Sequence, residues 1–209
     1  MIRIARNTLE YCAEGTYVDT PIYHTGSWPV RELQWRKLGA LVNMAQGETG
    51  RVLDLCCGNG VLLPTLSRRF KSVVGIDIHT TAPDRIVDAF ELKNVSIVTG
   101  DAYNMHFFDG SFDCVFAASA LEHFSELYKI IREIHRVLKP GGKLFYLSPT
   151  ENLLYCIGRK LLGYTKPIDH YWDADMIDWH LETHFKPTAL ESYPSTLLPI
   201  YRMGVWQKN

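Results

Sequence analysis

The stretch Val52-Leu53-Asp54-Leu55-Cys56-Cys57-Gly58-Asn59-Gly60 decides the fold. Three apolar residues around one acid read as a buried strand over 51–55, and Cys56 to Gly60 read as the turn that ends it. The apolar run that follows predicts a helix over 61–70, with Pro64 in its first turn, where a missing N–H costs little. A strand feeding a glycine turn and then a helix is how α/β proteins hold a nucleotide. Glycine lets a ligand approach the backbone, and the helix start offers unpaired N–H groups.

The alternation extends outward in both directions. Upstream, Leu33, Leu38, Leu41, Val42 and Ala45 share one face of a helix that begins at Arg31 and closes at Gly47 and Gly50. Downstream, strands are predicted over 72–78, 95–99, 112–118 and 143–148, with a short helix over 83–92. A longer helix is predicted over 125–138, where Leu127, Ile130, Ile131, Ile134, Val137 and Leu138 repeat at three and four. Ser125 is its expected N-cap, and Lys139-Pro140-Gly141-Gly142 its stop. Helices over 152–162 and 174–184 and strands over 189–193 and 201–207 complete the chain, the last two as an antiparallel edge pair. Repeated strand–helix–strand order implies parallel strands joined by right-handed crossovers, here in one domain over 1–209.

Composition fits that class. The chain has 209 residues, 46% hydrophobic and 22% charged, with a formal net charge of −1 and a mean hydropathy of −0.09. That balance is enough for a sizeable core and lacks the basic footprint of a nucleic-acid binder. No run approaches the ~20 apolar residues of a membrane span. Met1 to Glu14 lacks the apolar core of a signal peptide. Five cysteines, an odd number, with Cys56 and Cys57 adjacent and the others scattered, argue against a disulfide framework and point to a reducing cytoplasm.

The turn itself narrows the ligand. A dinucleotide site wants a third glycine, Gly-x-Gly-x-x-Gly, but Gly58-Asn59-Gly60 is followed by Val61, Leu62 and Leu63. Asp54, behind the turn, would repel a phosphate and accept from an ammonium. Asp77 ends the second strand, where a carboxylate can accept from both hydroxyls of a ribose. Gly100-Asp101-Ala102 ends the third, where a side chain and a backbone N–H can read the edge of an adenine.

Taken in order, the opening stretch, Val74-Gly75-Ile76-Asp77, Gly100-Asp101-Ala102, the run Ser111-Phe112-Asp113-Cys114-Val115-Phe116-Ala117-Ala118-Ser119-Ala120-Leu121-Glu122-His123-Phe124 and Arg136-Val137-Leu138-Lys139-Pro140-Gly141-Gly142-Lys143-Leu144 resemble the motifs of class I S-adenosylmethionine (SAM)-dependent methyltransferases. The resemblance spans about Arg51 to Pro149, close to half the chain. It is nearest to the small-molecule enzymes of the ubiquinone and menaquinone biosynthesis type. It implies a Rossmann-like, mostly parallel seven-stranded sheet of order 3-2-1-4-5-7-6 with strand 7 antiparallel and helices on both faces. It also implies SAM as cofactor. The methionine end would lie by Asp54, Cys56, Gly58, Asn59 and Gly60, the ribose on Asp77, and the adenine against Ile78, Asp101 and Ala102. Ala118 and Ser119 would run past the methionine group. The family usually has glycine where Cys56 stands. A side chain fits there if φ is negative, so a small adjustment of the turn is expected.

The resemblance also places acceptor-side candidates. Methyl transfer to oxygen or nitrogen benefits from a base that titrates near neutrality, and His123 follows the fourth strand. In ubiquinone-type relatives a Glu-His pair at this place resembles a divalent-metal site, but the other carboxylate of that pattern is Ser119 here, so no metal is expected. His180 and His184 share a helix face without an evident third ligand, and none is expected there either. Asp169-His170-Tyr171-Trp172 sits where the family often has a lid, making His170 and Tyr171 further catalytic candidates within an insert over 150–173. Tyr11, Tyr17, Tyr23 and Trp28 suggest a second lid within residues 1–30. The reading is methyl transfer from SAM to oxygen, nitrogen or carbon of a small-molecule acceptor. A SAM-binding regulatory or scaffold module without turnover and a nicotinamide-dependent oxidoreductase stay open as alternatives.

Overall fold

Each strand of the sheet sends successive side chains to opposite faces, and the two hydrophobic cores follow from that period of two. In the computed structural model, which describes residues 1–16, 28–161, 163 and 168–209, β1 (Arg51–Leu55) turns Val52 into one core and Leu53 and Leu55 into the other. The neighbouring β2 (Ser72–Asp77) and β4 (Phe112–Ala118) divide alike. Val73 and Phe116 join the first core; Val74, Ile76, Val115 and Ala117 join the second. Strands buried on both faces must be apolar throughout, which is why the sequence reads them as near-continuous runs. Full burial of such a side chain contributes roughly 1.5–3 kcal/mol.

β3 (Val95–Thr99), β5 (Leu138–Pro149), β6 (Phe185–Pro194) and β7 (Pro199–Lys208) complete a seven-stranded sheet of order β3-β2-β1-β4-β5-β7-β6. β1 to β5 are mutually parallel, and β7 runs antiparallel to both β5 and β6. This is the expected topology. It also separates the chain from the dinucleotide fold, whose order is 3-2-1-4-5-6.

Helices α1 (Arg6–Ala13), α2 (Trp28–Met44) and α3 (Leu63–Arg69) contribute to the first core. So does α4 (Thr81–Ala89), while α5 (Leu127–Val137) and α7 (Ala174–Leu181) cover the other face. α6 (Leu153–Leu161) has no buried residue. No helix among the described residues is long and apolar enough to cross a membrane, and all five cysteines are free.

Three local expectations are corrected. Residues 6–13 form a helix that the sequence did not disclose. At eight residues it is too short to be stable alone. It is held by burial of Leu9 and Cys12 and by Arg85, whose Nη1 donates to the carbonyls of Tyr11, Cys12 and Glu14 at its end. Ser125 is not the N-cap of α5. That place falls to Glu126, which makes no side-chain cap. The 139–142 segment is no mere stop: β5 already begins at Leu138, and register shifts between Phe112 and Cys114 absorb the extra residues.

Candidate active site

The turn after β1 is built by backbone geometry. Gly58 and Gly60 have φ of +53° and +72°, left-handed values that glycine adopts without strain. At Gly60 a Cβ would also stand 2.9 Å from Leu63 Cδ1 and 3.1 Å from Pro83 Cα. Cys56 adopts φ +53° as well. The negative φ expected for a side chain here is therefore wrong. The turn keeps the left-handed geometry and Cys56 bears its strain, on the order of 1–2 kcal/mol. Cys57 is a small buried residue whose Sγ would lie 3.0 Å from a Cβ at Gly75.

The charges of this side are acidic. Asp54 is 2% exposed, and burial, helped by neighbouring Asp77, pushes its pKa up to about 8. Asp54 Oδ2 and Asn59 Oδ1 are buried and have no hydrogen-bond partner among the described residues. Burial also pushes the Cys56 thiol up, as do Asp77, Asp54, Glu122 and Asp101 around it. Asp77 spans the turn: Oδ2 accepts from Gly58 N–H at 2.9 Å and Oδ1 from His79 N–H at 3.0 Å. Each oxygen keeps a lone pair for a further donor. Ile78, next in the chain, is 65% exposed. Asp101 caps the short turn Ala102–Asn104, accepting from Tyr103 N–H at 2.8 Å, and Ala102 is buried beneath it.

Buried acceptors lacking a donor cost about 1–3 kcal/mol each. The donor set that would satisfy these is cationic and carries N–H and O–H groups. SAM carries such groups: its ammonium would suit Asp54 and Asn59, its ribose hydroxyls Asp77, and its adenine Ile78, Asp101 and Ala102. The residues fit that cofactor.

A second cluster forms at the ends of β4 and β5. Ser119, at φ +55°, follows β4, and Glu151, at φ +49°, follows β5. With Cys56, three left-handed non-glycine residues thus stand just beyond parallel strand ends, where strain marks functional geometry. The short turn Leu121–His123 carries Glu122 and His123. Glu122 is 1% exposed, and its Oε2 accepts from Ser148 Oγ at 2.7 Å. The segment from Ile168 to Asp173 lies against this turn. Tyr171 N–H donates to the Glu122 carbonyl at 2.9 Å and Trp172 Nε1–H to the Phe124 carbonyl at 2.6 Å. His170 meets His123 edge to face, ring centroids 4.7 Å apart. Tyr171 is 54% exposed and joins the cluster through its backbone N–H.

The N-terminal aromatics divide. Tyr17, Tyr23 and His24 lie outside the described residues; Tyr11 and Trp28 are largely exposed, Tyr11 facing the Arg85 guanidinium. In the insert, α6 exposes Leu153 and Leu161 at 77% and 82%.

Sequence reasoning missed Lys37 and Gln34. Lys37 is 5% exposed; its Nζ lies 3.3 Å from Ser119 Oγ and 4.1 Å above the Tyr201 ring. Among the described residues it forms no ion pair. Gln34 Nε2 donates to Tyr201 Oη at 3.2 Å. The signal was available: Lys37 stands four residues from both Leu33 and Leu41, inside the apolar stripe of α2.

Fold and strand-end chemistry together define the class I SAM-dependent methyltransferases. Residues 53–146 match the family model described as a methyltransferase domain. The chain is 33% identical over 125 residues to a demethylmenaquinone methyltransferase of Staphylococcus epidermidis, covering 57% of this chain and 51% of that one. It is 37% identical over 118 residues to a ubiquinone/menaquinone biosynthesis C-methyltransferase of Pseudomonas aeruginosa, covering 50% and 44%. A protein of solved structure from Pyrococcus horikoshii OT3 superposes with a TM-score of 0.75 at 25% identity, covering 91% of this chain and 96% of that one. Over residues 53–146 the chain is similar to the class I SAM-dependent methyltransferases of the ubiquinone/menaquinone-like group. It spans about half the length of the curated relatives it matches.

Proposed function

We propose that the chain transfers a methyl group from SAM to an oxygen, nitrogen or carbon of a small-molecule acceptor. The observation that carries this reading is the pair of buried oxygens of Asp54 and Asn59, without a donor among the described residues, at a left-handed glycine turn. The names of the two relatives, both quinone-pathway methyltransferases, support a small-molecule acceptor.

SAM supplies a methyl group already activated by its sulfonium, so the protein needs to bind, orient and remove a proton. Asp54 and Asn59 take the ammonium, Asp77 the ribose hydroxyls, and Ile78, Asp101 and Ala102 the adenine. Gly58 and Gly60 leave room for the methionine end, beside Cys56, Ala118 and Ser119. On the acceptor side, His123 and His170 are the candidate bases. Each has its Nδ1 against a carboxylate, His123 on Asp169 at 2.8 Å and His170 on Glu151 at 3.0 Å. Both acids are held below the usual carboxylate range despite partial burial, by hydrogen bonds that include these same histidines. An ionised carboxylate only accepts, so the ring proton sits on Nδ1 and the Nε2 lone pair is left to take a proton. Tyr171 follows at the rim of this side.

The test is a thermal-shift and calorimetric screen with SAM, S-adenosylhomocysteine and NAD, followed by transfer of labelled methyl from SAM to phenolic and quinol acceptors. Stabilisation by the two sulfur compounds and not by NAD is expected, with label in an acceptor. Stabilisation by NAD alone would overturn the reading.

A further inference from the structure

Lys37 is a buried cation without a counter-anion among the described residues. It is 5% exposed, so its long stem does not carry the ammonium out to bulk water, as lysine stems usually do. Of the three Nζ donors, one reaches Ser119 Oγ at 3.3 Å, and the face of the Tyr201 ring lies 4.1 Å away. Neither partner is a carboxylate. A hydroxyl and a ring face support the ammonium in part, but a buried charge still calls for an opposite one. The third donor has no acceptor among the described residues.

The place of this ammonium in the sheet bears on which ligand would bring the anion. Ser119 follows β4, and Tyr201 lies on β7, opposite Pro149 of β5. Most of the residues proposed for SAM sit at β1 to β3, with Ser119 at the border of its methionine group. Lys37 reaches from Ser119 to β7, with β5 between β4 and β7 in the sheet order. The other polar groups of this wall are already engaged. Gln34 Nε2 donates to Tyr201 Oη at 3.2 Å. Arg159 stands over the Tyr155 ring, which meets Tyr201 edge to face, and its guanidinium is committed to Glu151 at 2.8 Å. Among these residues, Lys37 alone brings positive charge that no described carboxylate pairs.

We propose, resting on the methyl-transfer reading, that Lys37 determines specificity by binding an anionic oxygen of the acceptor. The acceptor is then an organic monoanion, a carboxylate or an ionised phenol. One ammonium matches one negative charge, whereas a phosphate dianion recruits arginine forks or several cations. The oxygen takes the Nζ donor that Ser119 and Tyr201 leave over. Ser119, bordering the methionine group, sets that oxygen on the side of the methyl donor. Gln34 fixes the Tyr201 hydroxyl, and Tyr201 supports the ammonium, so the charge is in place before the acceptor arrives. That lowers the ordering cost of binding.

The experiment titrates benzoate and its neutral isostere benzamide into full-length protein saturated with S-adenosylhomocysteine. The readouts are the melting temperature and the side-chain carbon resonance of Lys37 in lysine-labelled protein, assigned by its loss in Lys37→Met. Saturable binding of benzoate, at least about tenfold tighter than benzamide, is expected from the added charge pair. The preference should vanish in Lys37→Met and in Lys37→Gln, either of which suffices if the other does not fold. It should persist in Lys71→Met, at an exposed position. Equal responses to benzoate and benzamide, no saturable benzoate response up to ~50 mM, or a preference retained in the Lys37 variants would overturn the proposal. So would a loss of S-adenosylhomocysteine affinity beyond about tenfold in Lys37→Met, which would assign the ammonium to the cofactor's own carboxylate. Failure of the wild type to bind S-adenosylhomocysteine at all would overturn the methyl-transfer reading, and this proposal with it.

Discussion

On the β1–β3 side, the residues proposed for the cofactor sit at or just beyond their strand ends, and each strand brings its own: the glycine turn after β1, Asp77 at the end of β2 with Ile78 after it, Asp101 and Ala102 after β3. On the β4–β5 side, Glu122 and His123 follow β4, but Lys37 arrives from α2, Glu151 from beyond β5 and His170 from a segment further on. The first side is acidic around a turn with unpaired acceptors. The second holds two histidine–carboxylate pairs and a buried lysine with no ion-pair partner among the described residues. The residues proposed for the shared cofactor are thus local to their strands, and those proposed for the acceptor are assembled through the tertiary fold.

Substituting Lys37 tests the second side most strongly. Removing a buried charge that has no ion-pair partner among the described residues lifts its desolvation cost, several kcal/mol for a buried ion. Lys37→Met should therefore raise the melting temperature, despite losing the Tyr201 contact, while leaving S-adenosylhomocysteine affinity within about twofold. Destabilisation of the variant, or collapse of cofactor affinity, would erase the division between the two sides.

A pH comparison tests the first. The folded pKa of Asp54 is raised to about 8, against about 3.9 in an unfolded chain. Its contribution to stability is therefore fully present below about pH 4 and is lost as pH rises through about 8. In ligand-free protein the melting temperature of Asp54→Asn relative to wild type should climb between pH 4 and 9, by an amount worth roughly 1–3 kcal/mol. A flat difference would mean that the buried acid has a donor and does not await one.

The smallest effect concerns the turn. Cys56→Gly relieves a left-handed side chain but adds unfolded-state freedom, so a net gain of up to about 1 kcal/mol in denaturant unfolding is expected. A loss would show that the Cys56 side chain packs well enough to outweigh its strain.

These sides were unequally legible in the sequence. Strands β1 to β5 and their order follow from apolar runs and turn residues, and Asp54, Gly58, Gly60, Asp77 and Asp101 sit beside those signals. The conformation of Cys56 did not follow, because φ is set by the turn's hydrogen bonds and not by residue type alone. Helix α1 was hidden because its stability lies in contacts with α4. Lys37 was passed over because an apolar stripe draws attention to its leucines. The meeting of His123 with His170 depends on how the 168–173 segment lies, and nothing local encodes it.

The central claim is that the acids at the ends of β1–β3 hold SAM. Calorimetric titration of S-adenosylhomocysteine into wild type and Asp77→Ala tests it most directly. Loss of the ribose acceptor should weaken binding by about tenfold or more, a cost of about 1.4 kcal/mol or above. Equal affinity in the two proteins would contradict the assignment.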